Sequence, residues 1–156
     1  MAKQRFAAAL LIGLFSATTS QAASVSFYLD QSNKLADGVN YLQVTIADGT
    51  DGAIDFTVTA LQPLLDIAGD NFGIQRFAFN IVGGTATERR DVTALPADWR
   101  ARNDGRMAGF GRYDITLNGR GKPDSRQDPL TFSITGVSLD TILSYVDLST
   151  GRSPEG

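Results

Sequence analysis

The longest regular pattern in the chain is an alternation of apolar and polar residues between positions 41 and 61. Two segments within it have an apolar residue at every second position: Leu42, Val44 and Ile46, then Ile54, Phe56, Val58 and Ala60. A period of two is typical of antiparallel strands with one buried face. Asp48 to Gly52 lies between the segments, and Asp and Gly tolerate the positive φ angles of tight turns. The pattern therefore predicts a β-hairpin over 41–61.

Shorter segments of the same kind predict further strands. They lie at 25–30, 76–82, 112–117 and 130–137, with a weaker one at 99–102. Six or seven short strands bounded by turn residues favour an all-β fold over a parallel α/β fold. We therefore expect an antiparallel β-sandwich, of jelly-roll or Ig-like type, with one or two short helices.

Two segments lack the alternation and are the candidates for those helices. Residues 61–68 form a helix or a loop, since Pro63 can begin a helix and Gly69 can end one. Ser138 is a candidate N-cap for an amphipathic helix. That helix would place four apolar residues on one face: Leu139, Ile142, Leu143 and Val146.

The first 22 residues have the three parts of a secretory signal peptide. Lys3 and Arg5 are basic, residues 6–17 are almost wholly apolar, and Ser20 and Ala22 are small residues before a cut after Ala22. A membrane-spanning helix needs about 20 apolar residues, more than this segment has. We therefore expect an exported protein with one β-sandwich domain at 23–156 and no transmembrane segment in that mature chain.

Histidine and cysteine are absent from the chain. Ser-His-Asp and Cys-His catalysis are therefore excluded, as are metal sites built from imidazole or thiolate ligands. The sequence also lacks a glycine-rich phosphate loop that ends in Lys-Ser/Thr. No cofactor is expected, with Ca²⁺ as the one exception considered below.

Residues 76–126 are basic, with ten Lys or Arg residues against six acidic ones. Most of the arginines are interleaved with acidic residues, namely Arg89, Arg90, Arg100, Arg102 and Arg106 with Glu88, Asp91, Asp98 and Asp104. This order favours solvated charges that pair within the fold over a polyanion partner. No nucleic-acid-binding motif accompanies the segment, so we expect no nucleic-acid partner.

Carboxylates are the remaining groups for metal binding or acid–base chemistry. Asp48, Asp51 and Asp55, with Asp70 and Asn71, form the best candidate Ca²⁺ site, since Ca²⁺ prefers clustered oxygen ligands. They lack the Asp-x-Asp-x-Asp-Gly spacing of a calcium loop, and the predicted turn already accounts for Asp48 and Asp51. Two Asp side chains facing each other across a cleft would instead allow glycoside hydrolysis.

Aromatic residues are candidates for sugar stacking. Trp99 and Tyr113, with Phe110 and Tyr28, could form such a platform. Aromatic side chains of a small sandwich usually belong to its core. The core interpretation is therefore preferred.

Four stretches resemble secreted bacterial proteins of the PEP-CTERM type, which carry a C-terminal sorting tail for exosortase systems. They are Tyr41–Thr59 (YLQVTIADGTDGAIDFTVT), Asn71–Asn80 (NFGIQRFAFN), Asn103–Tyr113 (NDGRMAGFGRY) and Asp128–Gly136 (DPLTFSITG). The resemblance implies an uncharacterised protein of the cell surface or extracellular biofilm matrix, associated with exopolysaccharide. It implies no functional residues.

The family's sorting tail is missing from this chain, which ends at Ser153-Pro-Glu-Gly156. The resemblance therefore implies either a truncated member or one released into the periplasm or medium of a Gram-negative bacterium. A sandwich that lacks its last strand would have an open edge and uncovered apolar surface, which predicts self-association.

Three functions follow, in order of preference. The first is an exported, non-catalytic β-sandwich protein of the cell surface or matrix, with extracellular polysaccharide as its expected partner. The second is a carbohydrate- or calcium-binding module. The third is a carboxylate-dependent hydrolase.

Overall fold

The alternating segments form strands of two antiparallel sheets. The structure, a computed structural model, describes residues 22–69 and 72–147. Within them the first sheet has the order β1-β2-β3-β8-β5 and the second the order β4-β7-β6. The strands are β1 (Ser24–Leu29), β2 (Leu42–Asp48), β3 (Ile54–Ala60), β4 (Arg76–Phe79), β5 (Val92–Thr93), β6 (Arg100–Met107), β7 (Gly111–Asn118) and β8 (Leu130–Ile134).

The predicted hairpin is β2 and β3, and its register follows the apolar alternation. Ile46 pairs with Phe56 and Val44 with Val58, and all four side chains are buried. The turn contains the 3-10 helix Thr50–Gly52, in which Asp51 has a φ of 55°. The residue types of the turn and the period of the strands therefore agree with the structure.

The core lies between the two sheets, which confirms the all-β sandwich. Phe56 and Phe132 of the first sheet stack with ring centroids 4.5 Å apart, and Phe79 of the second sheet lies 5.3 Å from Phe56. Each such side chain contributes about 1.5–3 kcal/mol when fully buried. Phe77, Phe79, Ile115 and Leu117 supply much of the second sheet's apolar face.

Within this sandwich, the strand order differs from that of an immunoglobulin domain. The first three strands lie side by side in one sheet. An Ig-like domain instead has the order ABED in one sheet and CFG in the other, and a jelly roll is built from two Greek keys. The period of two determines which face of a strand is buried, but not which strands are neighbours.

The helix predictions had different outcomes. Residues 61–68 contain the α-helix α1 (Gln62–Ala68), with Pro63 in its first turn and Gly69 at its C-cap with a φ of 67°. The amphipathic helix after Ser138 is wrong. Leu139 has a φ of 64° and is 99% exposed, and only a 3-10 helix, Ile142–Tyr145, follows.

Tyr145 explains this difference. Its buried ring contacts Phe56 and Phe79 at centroid distances of 5.7 and 6.0 Å. The segment is therefore oriented by a tyrosine in the core, while Leu139 and Leu143 remain exposed. The Thr141 and Ser144 side chains cap the 3-10 helix reciprocally.

Three further strands differ from the predicted bounds, and one of them, β8, ends at Ile134 rather than at residue 137. β6 extends to Met107, well beyond the predicted 99–102, and it is an edge strand whose exposed residues are Arg100, Arg102, Asn103, Asp104 and Arg106. β4 ends at Phe79, after which Asn80 forms an isolated bridge with Asp147. Within residues 22–69 and 72–147, no helix has the length and apolarity needed to cross a membrane.

Candidate functional site

A polar cleft of about 460 Å³ lies where the β6–β7 hairpin meets the chain segment that precedes β5. This volume is within the range of small-molecule binding sites. The lining combines a hydroxyl, an amide, two carboxylates, a guanidinium group, a phenol and one apolar side chain. These groups belong to Thr87, Asn103, Asp104, Arg112, Tyr113, Asp114 and Ile115.

The β6–β7 register brings most of these residues together. Asn103 pairs with Ile115, and Gly105 pairs with Tyr113. Asp104 has a φ of 57°, which interrupts the extended conformation of β6 beside the cleft. The next residue, Gly105, lies so close to the buried Thr116 that a Cβ atom would be 2.8 Å from Thr116 Oγ1.

Hydrogen bonds hold the polar groups of the cleft in place. Asn103 Oδ1 accepts from the Arg89 N–H at 2.6 Å, and the Arg112 guanidinium pairs with the Asp104 carboxylate. Asp114 Oδ2 accepts from the Ile81 N–H at 2.9 Å. The lining is therefore tied both to the segment before β5 and to the chain that leaves β4.

A buried network lies beneath Thr87. The Tyr145 hydroxyl donates to Asp140 Oδ2 at 2.6 Å, and Thr87 Oγ1 lies 3.0 Å from Tyr145 Oη. Because the phenol has one proton and gives it to Asp140, the Thr87 hydroxyl donates to the phenol oxygen. Burial raises the pKa of Tyr145, and the hydrogen bond to Asp140 raises it further. The phenol therefore stays protonated and links the cleft wall to the core.

The four candidate stacking residues do not form one platform. Trp99 is buried, and its Nε1–H donates to the Ser125 carbonyl at 2.7 Å, so its ring belongs to the core. Tyr28 is 51% exposed but lies on β1, in the other sheet. Phe110 is in the turn between β6 and β7. Of the four, only Tyr113 lines the cleft.

The candidate calcium ligands have other partners or stand apart. Asp48 Oδ2 accepts from the Ala23 N–H at 3.1 Å, and Asp55 Oδ1 accepts from the Ser133 hydroxyl at 2.6 Å. Asp51 lies in the hairpin turn. In the described part of the chain, no group of three or more acidic side chains is placed to hold a metal ion. Asp70 and Asn71 lie outside the described residues.

The interleaved charges pair only in part. Arg90 lies near Glu88 at 3.3 Å and Asp91 at 3.8 Å, and Arg120 pairs with Asp98 at 3.3 Å. With Asp104 bound to Arg112, each of the four acidic residues has an arginine partner. Four of the five interleaved arginines, Arg89, Arg100, Arg102 and Arg106, have no ion-pair partner among residues 22–69 and 72–147.

The polar lining of the cleft was not foreseen from the sequence, apart from Tyr113. Asn103 and Asp104 are separated from Arg112 and Asp114 by a turn, and Thr87 is in a segment with no regular pattern. A hairpin at 100–118 would have placed Asp104 near Arg112, but the polar β6 sequence gives little signal of a strand. Comparison of the chain with protein-family models, curated proteins and solved structures found no match.

Proposed function

We propose that this protein is an exported, non-catalytic β-sandwich of the cell surface or extracellular matrix, and that it binds carbohydrate in the β6–β7 cleft. The observation that carries the proposal is the combination of Tyr113 with a hydroxyl, an amide, two carboxylates and a guanidinium group in one cleft. Sugar hydroxyls both donate and accept hydrogen bonds, and carboxylates, amides, hydroxyls and guanidinium groups provide matching partners. An aromatic ring offers an apolar surface to the C–H face of a sugar.

The location of the protein is supported by the sequence. The first 22 residues have the charge, length and small residues of a cleavable signal peptide. The resemblance to PEP-CTERM proteins supports the surface or matrix, where polysaccharide is the abundant ligand. A calcium-binding module has less support, because Ca²⁺ takes six to eight oxygen ligands and the described acidic residues form no such group.

A hydrolase is the second candidate, because Asp104 and Asp114 line the same cleft. Two carboxyl groups in one cleft are the machinery of most glycosidases, in which one of them must give a proton to the leaving group. Here both carboxylates accept hydrogen bonds from protein donors, Asp104 from Arg112 and Asp114 from the Ile81 N–H. Neither is arranged as a proton donor, so binding without hydrolysis is preferred.

The test is binding of the purified protein to a panel of neutral and acidic polysaccharides, followed by isothermal titration with oligosaccharides of those retained. Tyr113→Ala should weaken binding about tenfold, or about 1.4 kcal/mol, as expected for a central aromatic contact. Tyr28→Ala is the matched control, since this exposed ring lies in the other sheet and should leave affinity unchanged.

Two results would overturn the proposal. One is an absence of binding across the panel, and the other is equal affinity of the wild-type protein and Tyr113→Ala. Release of reducing ends that is abolished by Asp114→Asn would replace binding with hydrolysis. A thermal shift with Ca²⁺ alone would favour the calcium-binding alternative.

A further inference from the structure

Sheet register collects three arginines on the outer face of the second sheet. Arg76 of β4 and Arg100 of β6 both pair with Asn118 of β7, one from each side. Directly paired residues share a face, so these two arginines lie two strand spacings apart, about 10 Å. Arg102 follows Arg100 by two residues and shares that face. We call Arg76, Arg100 and Arg102 the arginine face.

The arginine face is exposed to solvent. All three side chains are exposed, whereas Phe77 and Leu117, at alternate positions on the same strands, are buried in the core. None of the three arginines has an ion pair with a described residue. The sheet therefore presents three arginines without ion pairs to described residues on one side, in a protein whose formal net charge is −3.

The arginine face meets the cleft at Asp114. Arg102 pairs with Thr116 of β7, and Asp114, which lines the cleft, lies two residues before Thr116 and on the same face. Asn103 and Tyr113 lie at the alternating positions of the two strands. A ligand longer than the cleft would therefore pass from hydrogen-bonding groups onto guanidinium groups. Guanidinium binds carboxylate, sulfate and phosphate through paired N–H donors, so such a ligand would carry anionic groups beyond the part that enters the cleft.

We propose that the arginine face binds the acidic groups of an anionic polysaccharide whose sugar units enter the cleft. This inference rests on the proposed carbohydrate-binding function and names the ligand class. The cleft favours a polysaccharide over a nucleic acid, because Asp104 and Asp114 can accept hydrogen bonds from sugar hydroxyls. A DNA duplex has no free sugar hydroxyls along its length to donate to these carboxylates.

The test compares matched ligands that differ only in charge. Polygalacturonate is set against its methyl ester, and a sulfated polysaccharide against its desulfated form. We expect the acidic form of each bound pair to bind about five to ten times more tightly at low salt, with the difference lost at high salt. The double variant R100Q/R102Q should remove this preference and leave affinity for the uncharged form unchanged.

Arg90→Gln is the control, because Arg90 is exposed but already paired with Glu88 and Asp91. Thermal unfolding should be the same for all variants, since the replaced side chains are exposed. Tyr113→Ala separates the two proposals, because it should weaken acidic and uncharged forms by the same factor.

Each outcome decides between the proposals. Equal binding of acidic and uncharged forms, or a preference that survives in R100Q/R102Q, overturns the arginine face but leaves the carbohydrate-binding cleft. Absence of binding to every polysaccharide overturns both. Displacement of the polysaccharide by duplex DNA at equal charge concentration, lost in R100Q/R102Q, would identify a nucleic-acid surface and overturn the polysaccharide assignment.

Discussion

At the scale of single residues, Tyr145 joins the hydrophobic core to the cleft through one hydroxyl group. Its ring packs on Phe56 and Phe79, while its oxygen contacts Thr87 and Asp140. Tyr145→Phe should keep the packing and remove both hydrogen bonds. Thr87 is buried, so its hydroxyl would lose its partner, and we expect the free energy of unfolding in urea to fall by about 1–2 kcal/mol.

The same phenol predicts a specific pH dependence. Tyrosine ionises near its ordinary value of 10.0 in the unfolded chain, while burial and Asp140 hold the pKa of folded Tyr145 above it. Above pH 10 the unfolded state therefore binds fewer protons than the folded state, and stability falls as pH rises. The stabilisation that the protonated Tyr145 phenol provides is intact below pH 10. Tyr145→Phe should lack it, and Tyr113→Phe is the control; parallel pH profiles of wild type and Tyr145→Phe would contradict the assignment.

Gly105 is required because the backbone of β6 approaches a buried side chain there. A Cβ at this position would clash with Thr116, with Oγ1 at 2.8 Å. Gly105→Ala should therefore destabilise the protein by about 1–3 kcal/mol, the usual cost of overpacking. Gly83→Ala is the matched control, since a Cβ there meets nothing within 4 Å. Equal unfolding midpoints for the two variants would contradict this prediction, because they would show that β6 moves away from Thr116 without loss of stability.

At the scale of elements, predictability followed the distribution of apolar side chains. The β2–β3 hairpin could be predicted because Val44, Ile46, Phe56 and Val58 are apolar, alternate and face one core. β6 could not, because Ala101 and Met107 are the only apolar side chains of Arg100–Met107, which gives no apolar alternation. An edge strand needs to cover little of the core, so most of its side chains can be polar or charged.

The residues of the candidate site could also be predicted only in part from the sequence. Tyr113 could be predicted as a sugar-stacking candidate because it is aromatic. Trp99 was predicted on the same ground, because the sequence does not distinguish an aromatic ring in the core from one in a cleft. The structure distinguishes them by register and by the Trp99 hydrogen bond to Ser125. Asp104 and Asp114 enter one cleft only because β6 and β7 pair. Contacts between strands, rather than patterns along one strand, define this site.

At the scale of the whole molecule, the predicted export signal and the folded domain meet at Ala23. The Ala23 nitrogen lies 3.1 Å from Asp48 Oδ2, and the Asp48 N–H donates to the Ala23 carbonyl at 2.9 Å. A cut after Ala22 would turn that nitrogen into an ammonium group beside a carboxylate. Removal of the signal would thus create an ion pair that joins the start of β1 to the end of β2.

This arrangement makes a prediction for the processed protein obtained by expressing the full chain. Intact-mass measurement should show a chain that starts at Ala23. Asp48→Asn should then lower the free energy of unfolding by about 0.2–1 kcal/mol near neutral pH, the usual range of an exposed ion pair. Asp51→Asn is the control, because Asp51 lies in the same turn with a positive φ that Asn tolerates.

The ionic character of the contact can be separated from its hydrogen bond by pH. An α-amino group is ordinarily discharged above about pH 8, so the deficit of Asp48→Asn should shrink at about pH 10 if it comes from an ion pair. A deficit that is the same at both pH values would indicate a hydrogen bond alone. A mass that places the first residue elsewhere would remove the ammonium group from Asp48 and contradict the coupling between signal removal and the β1–β2 edge.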